Sequence, residues 1–325
     1  MNASAEQLPA PSLLSRCGEA WGLRNMVFVR KMENIVFVCD RHTEKLYLRL
    51  TSPLRRRHPE IEAELNWIEH LAKWGLRVPQ LIPNREGKRI TSFTEGEQHF
   101  EAVVFSEMRG EHPSKEMASD PQFLKTLGAL IATMHQASEC YEKTPRAKRE
   151  EWFEERGLRH ALAAAAVSEH STLRRGLEER TAWMRQLQKT PTTYGLIHAD
   201  LGALNLFLEK DGSIGLIDFD DSCYHWFAFD LAIVIFSMAG RHGHVTSQPE
   251  EKQWLANLLE GYRRVRLLSQ EEVDLIFSFI HFACLRLFFW IEHHESLHTF
   301  HEDALDKVAQ LKQWTKLRIE STEIF

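Results

Sequence analysis

The chain has 325 residues, 43% of them hydrophobic, which allows a substantial core and more than one lobe. Lys plus Arg number 40 and Asp plus Glu 46, so the net charge is −6 and there is no basic field for nucleic acid. The five cysteines (Cys17, Cys39, Cys140, Cys223, Cys284) share no metal-ligand spacing and suit free thiols in a reducing, cytoplasmic compartment.

The opening MNASAEQLPAPS has neither a basic n-region nor an apolar h-region, so no signal peptide is expected. Residues 1–20 read as a polar tail with a short helix. Met26–Arg30 and Ile35–Cys39 are β-rich runs joined by Lys31-Met32-Glu33-Asn34. That loop has no G-x-G-x-x-G, so by spacing alone it is an ordinary hairpin turn. Lys45–Leu50 alternates, with Leu46, Leu48 and Leu50 on one face and Tyr47 and Arg49 on the other. Arg49 is then a ligand-binding cation or a surface charge, and Lys45 at the strand start is a solvated one.

Pro59–Trp74 is a helix: Pro59 suits the first turn, Ile61, Leu65, Ile68 and Leu71 form one stripe, and Gly75 stops it. Arg89–Phe93 and Ala102–Phe105 are two further strands. Ser106-Glu107-Met108 follows, and Arg109-Gly110 breaks the pattern, which places a boundary between residues 1–106 and 107–325. Asp120-Pro121 opens another helix, which carries His135. Arg149–Val167 and Ser171–Gln188 read as charged helices.

The most informative stretch is TYGLIHADLGALNLFLEKDGSIGLIDFDDSCYHWFAFD, Thr193 to Asp230. Leu206–Leu208 and Ile214–Ile217 are short strands joined by the turn pair Asp211-Gly212. H-x-D-x4-N, with His198, Asp200 and Asn205, precedes that hairpin, and Asp218-Phe219 ends it. Phosphoryl transfer needs a carboxylate at the attacking hydroxyl and an amide oxygen and second carboxylate for Mg²⁺. The pattern supplies all three.

After Asp230 the chain is helical: Leu231–Met238, Glu250–Arg264, Gln270–Glu292 and Glu302–Ile319. The apolar run Leu275–Ile291 carries His281 and Arg286, so it reads as a buried helix and not a membrane span. Arg286 needs a partner there, either a structural carboxylate or an acidic substrate. His293, His294, His298 and His301 form a cluster with Glu292 and Glu295. His294 and His298 have metal-ligand spacing, and a solvated polar cap is the alternative.

IHADLGALNLF and GLIDFDDSCYHWFAFDLA resemble the aminoglycoside phosphotransferase and choline kinase superfamily, which is related to protein kinases. The LIDFDD ending and the Arg-bearing strand look closest to the branch of type II homoserine kinases and stress-response or hydroxylysine kinases. The resemblance covers most of the chain from about Asn25. It implies an α+β, bilobal protein-kinase-like fold, with a small antiparallel-sheet N-lobe and a larger, mainly helical C-lobe. It also implies ATP and Mg²⁺ as cofactors and a small-molecule hydroxyl as acceptor, with no nucleic-acid or membrane partner.

Carried over residue by residue, the resemblance makes Asp200 the catalytic base or hydroxyl-orienting group and His198 a brace of the catalytic loop. Asn205 and Asp218 become the Mg²⁺ ligands, and Asp230 ties the loop down through backbone N–H groups. It places Arg49 on the nucleotide phosphates, held by Glu64. Asn34 falls in the phosphate-covering hairpin, and the backbone of Glu107 and Met108 is set against adenine. The loop departs from the usual H-x-D-x-H-x-G-N, having Gly202 and Leu204 where relatives carry His and Gly. That departure leaves a non-catalytic nucleotide-binding module as an alternative. A protein Ser/Thr kinase is the other alternative, but Asp218 to Asp230 is only 12 residues, too short for a peptide platform. Asp220, Asp221 and Glu292 are candidates to surround a cationic acceptor group, with Trp226, Phe227 and Trp290 to stack on it.

Overall fold

A computed structural model describes residues 8–31, 33–142, 147–241, 248–300 and 302–321. The chain falls into two compact units. One comprises Met1–Arg109, Glu142–Arg149 and Gly215–Asp220; the other comprises Gly110–Tyr141, Glu150–Ile214 and Asp221–Phe325.

The first unit is built on a five-stranded antiparallel sheet. Its strands are β1 (Arg24–Lys31), β2 (Ile35–Arg41), β3 (Glu44–Thr51), β4 (Thr91–Glu95) and β5 (Gln98–Ser106), in the order β1-β2-β3-β5-β4. α1 (Pro11–Trp21) contributes Leu13, Cys17 and Trp21 to one face of that sheet. They meet Phe37, Leu46, Leu48, Leu50 and Phe100, the inward half of the alternating pattern. α2 (His58–Lys73) buries Ile61, Leu65, Ile68 and Leu71, and on the same helix the fully buried Glu64.

β3 is a central strand, with Arg49 opposite Val36 on one side and Val103 on the other. Arg49 therefore has no edge on which to reach water, and only 7% of it is exposed. Residues Gly215–Asp220 join this unit through the Leu216 N–H, which donates to the Arg77 carbonyl at 2.8 Å. A Cβ on Gly215 would lie 2.6 Å from Met108 Sδ, so a larger residue there would push the methionine side chain aside.

The second unit is mainly helical: α3 (Lys115–Ala118), α4 (Pro121–Glu139), α5 (Arg156–Val167), α6 (Ser171–Met184), α7 (Ala228–Arg241), α8 (Gln248–Arg263), α9 (Gln270–Ser296) and α10 (Leu305–Glu320). β6 (Tyr194–Ile197) pairs antiparallel with β9 (Cys223–Trp226). Between them lie the short strands β7 (Leu206–Leu208) and β8 (Ile214–Leu216). The expected turn is present: Gly212 has φ 84°, and the Glu209 N–H donates to the Ser213 carbonyl at 3.0 Å. Asp120 caps α4 by accepting from the Phe123 N–H at 2.8 Å.

α4 and α8 touch backbone to backbone at Gly128 and Gly261. A Cβ at Gly128 would lie 2.9 Å from the Tyr262 nitrogen and closer still to the Leu258 carbonyl oxygen. Among the described residues, α9 is the one helix long and apolar enough to cross a membrane. Its Ile276, Phe279, Phe282, Leu285, Phe288 and Phe289 are buried against protein, as expected of a core helix.

One helix starts later than its sequence pattern predicts. Arg149–Glu155 is not helical: Trp152–Glu154 form a turn, closed by the Glu154 N–H donating to the Glu151 carbonyl at 2.8 Å, and each end of the segment has partners of its own. Arg149 donates to the Glu60 carbonyl at 3.2 Å and to the Phe219 carbonyl at 2.7 Å. Glu155 accepts from the Gly157 and Leu158 N–H groups at 2.6 and 2.8 Å, which makes it the N-cap of α5. β9 falls where the sequence pattern reads as a loop. It is only four residues long and follows turn-forming Asp221-Ser222, so its register with β6 defines it.

Candidate active site

β6 delivers the chain to His198-Ala199-Asp200. The loop turns sharply, with Ala199 in the left-handed region at φ 66°. The carboxylate of Asp230, in the first turn of α7, holds it in that shape. Asp230 accepts from the His198 N–H at 3.1 Å and the Ala199 N–H at 2.8 Å. It also pairs with His135 Nε2 at 3.1 Å, while His135 Nδ1 lies 2.9 Å from the Tyr262 hydroxyl.

Both Asp230 and His135 are fully buried. Burial lowers the His135 pKa in spite of the Asp230 carboxylate, so His135 is neutral. His198 is fully buried too, with Nδ1 accepting from the Asp200 N–H at 3.3 Å. Its place inside the loop is that of a brace. Asn205 donates from its amide nitrogen to both the Asp200 carbonyl and Asp200 Oδ2, each at 2.8 Å. Asp200 is thus an exposed carboxylate on a rigid support. In the altered segment, Leu201 and Ala203 are buried while Leu204 is exposed, and a Cβ at Gly202 would lie 3.2 Å from Ser237 Oγ.

Asp200 lines a cavity of about 40 Å³ within the second unit, large enough for a few water-sized groups. Asp221, Glu155 and Arg286 also face it, and Trp152, His225, Phe229 and Phe282 form apolar wall. Arg286 Nη1 donates to Glu155 Oε2 at 3.0 Å. Burial opposes the Arg286 charge, but Glu155 and Asp221 outweigh it and raise the pKa.

His225 is nearly fully buried and stacked on Phe229 with ring centroids 3.9 Å apart. Burial first, and then the nearby Arg286 charge, push its pKa well down, so it is neutral. Trp152 and Glu155 fall in the segment that reads as helix. Neither their spacing nor that of His225 marks them, so the sequence alone does not reveal this wall.

In the first unit Arg49 and Glu64 form a bidentate pair at 2.7 and 2.8 Å, with the guanidinium carbon 5.2 Å from the centre of the Phe105 ring. Burial disfavours the Arg49 charge, and Glu64 more than restores it, so the net shift is upward. Asn34 Oδ1 accepts from the Thr51 hydroxyl at 2.7 Å. Lys45 is half exposed and pairs with Glu107 at 2.7 Å. Met108 packs against Gly215. Asp218 has φ 64° and pairs with Arg30 at 2.8 Å.

The acceptor-facing residues need correction. Asp220 does not face the cavity. It belongs to the first unit, where Arg55 Nη2 reaches it at 2.7 Å and Arg56 donates to its carbonyl at 2.9 Å. Burial opposes its charge, but Arg55, Arg56, Arg49 and Arg149 hold its pKa far below the usual carboxylate range. Glu292 pairs with His170 at 3.6 Å and Lys312 at 3.5 Å. Trp226 and Phe227 are core residues, and Trp290 packs on His294 and Phe300. Of the three acids expected around a cation, only Asp221 faces the cavity.

The described members of the histidine cluster do not gather around one point. α9 ends at Ser296, and His298 follows it with φ 52°, which breaks the helical spacing to His294. His293 instead stacks on His160 at 4.2 Å. Among the described residues no three or more His, Cys, Asp and Glu side chains converge as metal ligands; His301 lies outside them.

Known proteins share both the sequence and the architecture. Amicoumacin kinase of Bacillus subtilis (strain 168) is 29% identical over 213 residues, a match spanning 65% of this chain and 62% of that enzyme. Homoserine kinase of Sinorhizobium medicae (strain WSM419) is 31% identical over 242 residues, 70% of this chain and 68% of that one. A solved structure of amicoumacin kinase with AMP-PNP, Ca²⁺ and Ami has a TM-score of 0.84 at 24% identity, covering 98% of this chain and 96% of its own. That likeness shows the fold. Residues 28–268 match the phosphotransferase enzyme family, and with these relatives and this fold the chain belongs to that family, as a kinase acting on the hydroxyl of a small molecule.

Proposed function

We propose that the chain transfers the γ-phosphoryl group of Mg-ATP to the hydroxyl of a small amine-bearing molecule: an amino alcohol, an amino acid or an amino sugar. The observation that carries this reading is the setting of Asp200. Its carboxylate is clamped by Asn205, its loop is fixed by Asp230, and it stands on the wall of a small cavity that also holds acidic and aromatic side chains. Asp200 accepts a hydrogen bond from the acceptor hydroxyl and takes its proton as the new O–P bond forms. His198 is a positioning residue, buried beneath the loop.

Arg49, kept in one orientation by Glu64, presents its guanidinium to the nucleotide phosphates. Asn34 and the backbone of Glu107 and Met108 complete the nucleotide contacts that the resemblance implies. Asn205 and Asp218 are the proposed ligands of Mg²⁺. The donor set fits a hard cation, because the Asn205 amide nitrogen is engaged by Asp200, leaving the oxygen, and Asp218 already holds a cationic group, Arg30. The metal, when bound, supplies charge neutralisation at the phosphates. The solved complex of amicoumacin kinase with AMP-PNP and Ca²⁺ supports a nucleotide and a divalent ion for this fold.

An ADP-release assay over amino alcohols, hydroxy amino acids, sugars and aminoglycosides tests the reading. Asp200→Asn keeps the size of the side chain and removes its charge. Turnover with the best acceptor falls by about two to four orders of magnitude, while the thermal stabilisation by Mg-ATP persists. Near-wild-type turnover in that variant removes Asp200 from the role of base.

A further inference from the structure

Arg30 is the last residue but one of β1, just ahead of the turn to β2, and Arg49 lies in β3. The register puts Arg30 opposite Val36, and Val36 opposite Arg49. Directly opposite residues on neighbouring strands share a face, so the two arginines stand in one row about 10 Å apart, twice the strand spacing. Arg49 is buried and held by Glu64. Arg30 is different. Its side chain is 47% exposed, and its Nη2 donates to Asp218 Oδ2 at 2.8 Å. The chemistry above gives it no role beyond marking Asp218 as a place for a cation.

The two ends of that pair differ in freedom. Asp218 has φ 64°, a left-handed conformation that its surroundings must hold. The Phe219 carbonyl accepts from Arg149 at 2.7 Å and the Asp220 carbonyl from Arg56 at 2.9 Å. Asp220 Oδ2 accepts from Arg55 Nε and Nη2 at 3.0 and 2.7 Å. Arg55 also pairs with Glu33 in the β1–β2 turn, so the turn is tied to the same segment. The carboxylate is therefore the fixed partner, and the long, half-exposed arginine is the movable one. An ion pair this open to water adds little to stability and is readily exchanged. Asp218 also lies within electrostatic range of Arg49: burial opposes the Arg49 charge, and Glu64, then Asp220 and Asp218, sustain it.

Resting on the kinase reading above, we propose that Arg30 is a catalytic arginine with two alternating partners, the Asp218 carboxylate and the terminal phosphate of the nucleotide. Arg30 and a divalent cation compete for the same carboxylate, so Arg30 gives it up when Mg-ATP binds. Its guanidinium then forks onto the γ-phosphate oxygens. Arg49, fixed by Glu64, cannot follow the phosphoryl group as it moves, and Arg30 can. During transfer the acceptor oxygen bonds to the γ-phosphorus and its proton passes to Asp200. The bond from that phosphorus to the β–γ bridging oxygen breaks, and its electron pair stays on ADP. Arg30 remains protonated throughout and balances the charge on the oxygens of the moving group.

Arg30→Gln and Arg30→Lys make the test, read first by binding. Mn²⁺ is titrated into the protein without nucleotide, and the free ion is followed by its paramagnetic resonance. It binds Arg30→Gln about tenfold tighter than the wild type, because the competing charge beside Asp218 is gone. Calorimetry with Mg-AMP-PNP shows the opposite sign: Arg30→Gln binds it about 10- to 100-fold more weakly, the scale of a hydrogen bond to a charged group. Mg-ADP, which lacks the third phosphate, stays within about threefold. Turnover by ADP release, with the best acceptor of the panel above, falls by about two to three orders of magnitude. Arg30→Lys keeps the charge as a single point, so Mn²⁺ binding stays near wild type and only part of the AMP-PNP affinity returns. A merely structural role does not tighten the metal and loosen the triphosphate together.

Mn²⁺ affinity no greater in Arg30→Gln than in the wild type overturns the exchange. Equal losses for AMP-PNP and ADP, or no loss for either, remove Arg30 from the terminal phosphate and leave the kinase reading standing. Both binding effects, with no ADP released by the wild type over the whole panel, support the exchange and sink the kinase reading instead.

Discussion

Arg49 and Glu64 offer a test that separates what the ion pair does for folding from what it does for nucleotide. Arg49 is 7% exposed and Glu64 is fully buried, and two parallel hydrogen bonds join them. Replacing one partner leaves the other charge buried without its hydrogen-bonded counter-ion, which costs about 3–5 kcal/mol. Arg49→Met and Glu64→Leu should each cost that much. The double variant removes both charges and fills the space with apolar groups of similar volume, so it should lie within about 1–2 kcal/mol of wild type. At about 2–4 °C per kcal/mol, each single variant melts roughly 6–20 °C lower and the double only a few degrees lower.

Calorimetric melts of the free protein measure the stability cycle, and titration with Mg-AMP-PNP measures affinity. Nucleotide affinity should not follow stability. It should fall in Arg49→Met and stay low in the double variant, because the cation proposed to bind the phosphates is gone from both. Stability losses that simply add refute the idea that the two charges answer each other. Full nucleotide affinity in the double variant shows that Arg49 does not touch the phosphates.

Two further outcomes follow from packing and burial. Gly128→Ala should drive a methyl into the α8 backbone and cost about 2–4 kcal/mol, seen as a lower urea midpoint, whereas Gly87→Ala meets no atom and tests only backbone strain; equal effects would mean the helices separate freely. Burial lowers the pKa of His135 and His225, and lowers those of His160, His281 and His294 as well, the last three to about 4. The unfolded chain therefore binds more protons once pH drops below about 6.5. Stability should fall from there toward about pH 4, and His135→Gln and His225→Gln should each flatten the slope of urea midpoint against pH.

The alternation of Leu46, Leu48 and Leu50, the stripe of α2 and the turn at Asp211-Gly212 are legible because each depends on a few residues in a row. The tie from Asp230 to the catalytic loop is legible through resemblance. The burial of Arg49 is not. Its face of β3 looks like a surface face until α2 is laid over it, and nothing in Lys45–Leu50 reports that. Asp220 and Asp221 look equivalent in the sequence, yet one is locked by arginines and the other faces the cavity. Trp152, Glu155 and His225 escape notice because the cavity wall joins two distant segments.

The polar run beneath the catalytic loop also has a direction. Arg266 can only donate, and its Nη1 lies 2.9 Å from the Tyr262 oxygen. The tyrosine must therefore receive that hydrogen on a lone pair and point its own toward His135 Nδ1. With Nδ1 accepting, the ring hydrogen of the neutral histidine is forced onto Nε2, facing Asp230. Asp230 has no hydrogen to give and gathers the His198 and Ala199 N–H groups as well. Every hydrogen along the row points from the arginine toward the carboxylate, and reversing any one sets two lone pairs or two hydrogens face to face. An arginine just past the end of α8 thus selects the histidine tautomer that the loop rests on.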